Sequence, residues 1–219
     1  MQSSLPNPAW PEGVISRVED RGRMVSLTFD DGPNVPATSH VREILNSYDA
    51  HGTFFIVGKA VEIEPGVCQG LLQDGHTLGN HSYSHSMTAW LSPSDEEIRN
   101  SQRVISQRLG VLPAYFRPPY GLLSRDMLRH IDANRMTCVT WDVAVEDWTL
   151  DDASEIARRV LHAIRPGSIV LLHDGHSGDV TGDRTALVGA LPMILDGLRE
   201  RSLDPVALDT LLETRAYLE

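Results

Sequence analysis

The chain has 219 residues, 41% hydrophobic and 22% charged. That is enough to bury roughly 70% of its unfolded surface as one domain, and too ordinary a composition for long disorder. Thirty acidic against 19 basic side chains give a net charge of −11, which repels phosphate backbones and anionic lipid, so nucleic acid is not an expected partner. No 18-residue apolar run is present and the opening residues lack a basic segment followed by an apolar one, so neither membrane insertion nor an export signal is expected. The chain as given is therefore expected in the cytoplasm, or outside the cell if a leader has been trimmed from it. Cys68 and Cys138 match no C-x-x-C spacing and are expected as buried free thiols.

After a Pro-rich lead-in, residues 24–29 read as a short apolar strand that runs into the acidic turn Asp30-Asp31-Gly32-Pro33. A helix is expected over 37–48, a β-branched and aromatic strand over 53–57, a helix over 61–73 and a brief strand over 76–79 that delivers His81. Ser94-Asp95-Glu96-Glu97 reads as a capping box for a helix ended by Gly110. Strands near 114–117 and 137–143 flank a helix over 124–134, and a helix over 152–164 precedes the continuous apolar strand 168–172, suited to burial on both faces. A helix over 184–201 and a strand over 205–208 follow. Roughly seven strand–helix repeats predict an α/β fold, a distorted (β/α) barrel of about seven parallel strands, with a closed ring the preferred topology. Asp30, Asp31, His81, Arg117, Asp147 and His173 all fall at or just past predicted strand ends, the rim where parallel barrels assemble chemistry.

His81-Ser82-Tyr83-Ser84-His85 spaces two imidazoles by four residues, which on one helical turn puts both on one face. Taken alone such a pair is more often a solvated helix edge, and Asp-Asp-Gly-Pro alone is equally a surface turn. Together they supply two imidazoles and a carboxylate, a set that binds a divalent ion and leaves positions open. The neighbouring Asp is then free to face water. Arg117-Pro118-Pro119-Tyr120-Gly121 is stiff, because each proline fixes its own φ and restricts the residue before it. Of the remaining histidines, His40, His51, His76, His130, His162 and His176, most read as surface residues, with His176 in a Gly-rich loop expected to flank the groove. No G-x-S-x-G or G-x-G-x-x-G element is present.

Five ordered motifs carry a resemblance: Thr28-Phe29-Asp30-Asp31-Gly32, His81-Ser82-Tyr83-Ser84-His85, Arg117-Pro118-Pro119-Tyr120, Asp147-Trp148 and Leu171-Leu172-His173. The chain resembles the polysaccharide deacetylases of carbohydrate esterase family 4 from about Val25 to Leu208. The resemblance implies a lead-in over 1–22, a catalytic domain over 23–212 and a tail over 213–219. It implies that Asp31, His81 and His85 bind one divalent metal, with zinc expected and cobalt, nickel or iron alternatives, and that Asp30 is the general base and His173 the general acid. It further implies that Arg117 orients Asp30, Asp147 tunes His173, the Tyr120 backbone N–H meets the oxyanion, and Trp148 and Leu171 line an acetyl pocket. The expected substrate is an acetylated amino-sugar oligomer or polysaccharide, with acetylxylan or a cyclic amide or imide as rivals. A carbohydrate-binding protein without chemistry fits less well, since base, acid and ligands are all present. One departure stands out. Many relatives carry a further Asp before Asp147-Trp148, where this chain has Ala144, with Asp142 or Glu146 as possible substitutes.

Overall fold

The computed structural model describes residues 10–92 and 94–219. Strand β1 (Met24–Asp30) leads to α1 (Val35–Ser47), β2 (Thr53–Ile56), α2 (Gly58–Ile63), α3 (Pro65–Gln73) and β3 (Thr77–Asn80). The short α4 (Met87–Trp90), α5 (Glu96–Leu109), β4 (Tyr115–Phe116), α6 (Arg125–Ala133) and β5 (Thr137–Cys138) follow. Then come β6 (Val143–Ala144), α7 (Ala153–Ala163), β7 (Ile169–His173), α8 (Thr185–Glu200), β8 (Asp204–Pro205) and α9 (Leu208–Leu212).

Seven strands pair in parallel in the order β5-β4-β3-β2-β1-β7-β6, a curled half-barrel, while β8 adds to the start of β1. The distorted barrel expected from the repeats is present; its closure is not. Among the described residues no ladder joins β5 to β6, because the stretch expected as one strand over 137–143 splits into two short pieces that pair on opposite sides of the opening. The lead-in fills that gap. The Ile15 N–H donates to the Cys138 carbonyl at 3.0 Å, Thr140 N–H donates back to Ile15 at 2.7 Å, and Val18 N–H reaches Gly167 at 3.0 Å. The opening segment from Ile15 on is thus integral to the barrel wall.

Alternation along β1 divides its side chains. Val25, Leu27 and Phe29 join Phe54, Ile56, Val170 and Leu172 in the main core under the helices, whereas Phe55, Tyr115, Val139 and Ile169 pack with Leu208 and Leu211 in a second cluster. The segment expected to be strand over 205–208 is only a two-residue strand, and α9 follows it to supply those two leucines. The single helix expected over 61–73 is two helices. Glu64, at φ −127° and ψ 59°, breaks it because the ring of Pro65 disfavours helical backbone in the residue before it. The capping box forms only in half: Ser94 Oγ accepts from Glu96 N–H at 3.2 Å, but Glu97 turns instead to Ser84. Cys68 and Cys138 are buried and unpaired with each other, and burial pushes the Cys138 thiol up to about 12.

Candidate metal-dependent active site

Register brings the first pair of groups together. On adjacent parallel strands Asp30 stands opposite His173, and Thr28 opposite Leu171. Asp30 is buried, and Arg117 Nη1 donates to its Oδ1 at 2.7 Å and to Thr28 Oγ1 at 2.7 Å. Arg117 is itself fully buried over the Phe55 ring at 4.0 Å, and its remaining donors go to the Val139 and Thr140 carbonyls at 3.3 and 2.9 Å. Four hydrogen bonds on a buried guanidinium fix where it holds Asp30. Asp30 Oδ2 is left facing inward, 3.6 Å from His81 Nε2.

Asp31 follows in left-handed backbone at φ 77°. Its Oδ2 accepts from Ser177 N–H at 2.8 Å, while Oδ1 is buried without a hydrogen-bond partner, 3.4 Å from His81 Nε2 and 3.1 Å from His85 Nε2. Glycines allow this close packing. A Cβ on Gly32 would lie 2.6 Å from Asp174 Oδ2, and one on Gly175 would lie 2.3 Å from the Asp31 carbonyl oxygen.

His81 and His85 do not share a helical turn. They flank a loop in which Ser82 and His85 adopt left-handed backbone at φ 69° and 53°, and their ring centroids still come within 4.9 Å. Asn80 Oδ1 accepts from Ser82 N–H, Ser82 Oγ accepts from His85 N–H, and Glu97 accepts from both the N–H and the hydroxyl of Ser84. Those bonds replace the helix the spacing suggested. His81 Nδ1 lies 2.8 Å from the Arg117 carbonyl, an acceptor only, so a neutral ring must carry its hydrogen there and aim the Nε2 lone pair at Asp31. Burial and the neighbouring His81 push His85 down to about 4, against the pull of Asp31 and Asp30, which leaves its ring neutral near pH 7. The buried, unpartnered Asp31 Oδ1 faces two imidazole nitrogens, a donor set that a divalent cation would satisfy. The ligand atoms lie within 4.8 Å of one another, so Asp31, His81 and His85 fit a divalent metal.

The opposite wall is His173. Its Nδ1 lies 3.0 Å from Asp147 Oδ1 and its backbone N–H donates to Asp147 Oδ2 at 3.0 Å. Burial alone would push this imidazole down, but the charge and hydrogen bond of Asp147, aided by Asp31 and Asp30, raise it to about 9. Trp148 is 48% exposed with its ring 4.8 Å from that of His173, and Leu171 is buried beneath. Tyr120, 48% exposed, adopts φ 59°, donates its hydroxyl to the His85 carbonyl at 2.9 Å and lies 4.6 Å from that ring. Asp30, Asp31, His81 and His85 thus meet one another, Arg117 lies behind Asp30, Asp147 and Trp148 adjoin His173, and Tyr120 lies against His85.

The structure adds and removes details. Arg184, with no motif to announce it, donates to Asp147 Oδ2 at 2.5 Å and to the His173 carbonyl at 2.7 Å. Asp174 is buried against Thr38, and burial pushes its carboxyl up to about 7. Asp142 does not stand in for an acid at Ala144, because it binds Ile169 N–H and Ser168 at the far end of β7, while Ala144 is exposed on the rim. His76 is not a surface residue: it is buried, accepts from Gly52 N–H through Nδ1, and is pushed down to about 4 by burial.

Fold and site together define a class: a hydrolytic α/β half-barrel with a metal-ready Asp-His-His trio, a carboxylate and an imidazole at its rim. Residues 17–139 match the polysaccharide deacetylase family, and the chain belongs to that family of enzymes. It is 34% identical to a chitooligosaccharide deacetylase of Bradyrhizobium sp. strain ANU 289, over 83% of this chain and 87% of that one. It is 31% identical to a peptidoglycan-N-acetylglucosamine deacetylase of Bacillus cereus, over 87% of this chain and 68% of the other. A solved peptidoglycan N-acetylglucosamine deacetylase in complex with 4-naphthalen-1-yl-N-oxidanyl-benzamide superposes with a TM-score of 0.84 at 26% identity, over 94% of each chain.

Proposed function

We propose that this protein removes N-acetyl groups from N-acetylglucosamine units of a chitooligosaccharide or cell-wall glycan, using one divalent ion, zinc in the first instance, held by Asp31, His81 and His85. The observation that carries the reading is the placement of Asp30 opposite His173 across β1 and β7, beside the metal-ready trio. A cation bound there supplies a lowered water pKa and polarises the acetamide carbonyl. Asp30, held by Arg117 at Oδ1, takes a proton from the attacking water through Oδ2. His173 gives a proton to the departing nitrogen, which amide hydrolysis needs because an unprotonated amine leaves poorly. Asp147 fixes the His173 tautomer by binding Nδ1, so the transferable proton is on Nε2. Trp148 and Leu171 shape the acetyl pocket, and the left-handed turn at Tyr120 offers its backbone N–H to the oxyanion.

The test is mass spectrometry of products from N-acetylglucosamine oligomers of graded length, with peptidoglycan, acetylxylan and cyclic imides in parallel. Acetate released from the amino-sugar substrates supports the reading; release from acetylxylan or imide ring opening alone would reassign the substrate. Asp30→Asn is expected to keep metal and lose turnover by roughly 100-fold or more. Unchanged turnover would reassign the base.

A further inference from the structure

Asp147 is wholly buried, and each of its oxygens is engaged by His173, one by the ring and one by the main chain. Arg184 makes a third bond to it. The arginine side chain, 8% exposed, comes from the N-cap of α8, eleven residues beyond His173, and donates through Nη2 to Asp147 Oδ2 at 2.5 Å and through Nε to the His173 carbonyl at 2.7 Å. The His173 main chain is therefore tied at its N–H by the carboxylate and at its C=O by the guanidinium. Arg184, Asp147 and the His173 backbone form one closed ring of hydrogen bonds.

This ring matters to proton donation, and the inference rests on the acid role proposed above for His173. As the C–N bond breaks, its electron pair goes to nitrogen, which takes the proton from His173 Nε2 and leaves a neutral imidazole. A buried carboxylate paired only with that imidazole would then lose its counter-charge, which opposes the transfer. Arginine stays charged at every pH the reaction uses, so Asp147 keeps a cation whether His173 holds its proton or not. We propose that Arg184 is the positioning residue of the general acid, clamping Asp147 and the His173 main chain so that the imidazole can surrender its proton.

The role predicts selectivity by leaving group. Arg184→Ala is expected to lower kcat on N-acetylglucosamine oligomers by about 100-fold with little change in KM, because a general acid contributes on that order. The same variant is expected to hydrolyse an aryl acetate, whose phenolate leaves without protonation, at close to the parent rate. Arg184→Lys, which keeps a charge but not the two-point fork, should fall between them. Parallel loss on amide and aryl ester, or no loss on either, would overturn the proposal. If the parent protein cleaves the aryl ester and not the amino-sugar amide, the substrate reading fails instead, and the His173 Nδ1–H proton signal decides the clamp. That signal should be sharp in the parent and lost to solvent exchange in Arg184→Ala. A signal unchanged in the variant would overturn the clamp independently of activity.

Discussion

His173 is charged or neutral according to what surrounds it, and its raised value of about 9 sets the sign of a pH prediction. An acid must hold its proton, so turnover is expected to persist below that value and decline as pH rises through about 9. The stability that Asp147 and His173 give each other follows the same sign: it is complete below the ordinary histidine value of 6.5 and is lost as pH rises through about 9. Asp147→Asn removes the strongest upward influence, so the alkaline limb of the kcat–pH profile should move to lower pH; a limb that stays in place would remove Asp147 from this role. At this scale the site was largely legible, since Asp30, Asp31, His81, His85, Arg117, Asp147 and His173 sit in ordered motifs. Arg184 was not. A lone arginine before a helix carries no pattern, and only the approach of its guanidinium to a carboxylate 37 residues back reveals it. His76 was misread for the converse reason, because a histidine at a strand start looks solvated until the packing around Phe54 and Gly52 covers it.

The loop that carries both histidines shows how an element is decided by its neighbours. A four-residue spacing fits a helical turn, yet Ser82 and His85 take left-handed backbone that intrinsic preference disfavours, and bonds from Asn80 and Glu97 hold them there. Glu97 belongs to α5 and was expected to cap its own helix; reaching back to Ser84, it becomes an outer support of the metal ligands. Outer supports of this kind typically contribute 10–100-fold in metal affinity. Glu97→Ala is accordingly expected to weaken metal binding by about tenfold or more in a chelator competition, with helicity by circular dichroism unchanged. Metal affinity equal to that of the parent would show that the loop holds itself.

Across the whole molecule the half-barrel is finished by its own N-terminal segment. Ile15 bridges to Val139 and accepts from Thr140 N–H, Trp10 donates to the Trp141 carbonyl at 3.1 Å, and the Val139 and Thr140 carbonyls of the same stretch receive Arg117. A path of hydrogen bonds thus runs from the opening residues to Asp30. Ile15→Pro deletes the N–H that binds Cys138 and is expected to cost about 1–3 kcal/mol of stability, measured by thermal or urea unfolding, with a fall in kcat larger than any change in KM. Full stability and kcat would show that the seam is closed without this bond.

What the sequence by itself determined are the features that local chemistry dictates. Alternating strand and helix follows from hydrophobic period and from Gly and Pro punctuation, and the family follows from short motifs whose residues must adjoin one another. The Asp-Asp turn and the histidine pair are of this kind. Only the tertiary structure decided which motifs meet, that β1 places Asp30 against His173, that the ring stays open between β5 and β6 until Ile15 fills it, and that Arg184 closes on Asp147. These are contacts between residues far apart in the chain. Their distances depend on strand order and on buried hydrogen bonds that must be satisfied jointly, and no local period encodes such an arrangement.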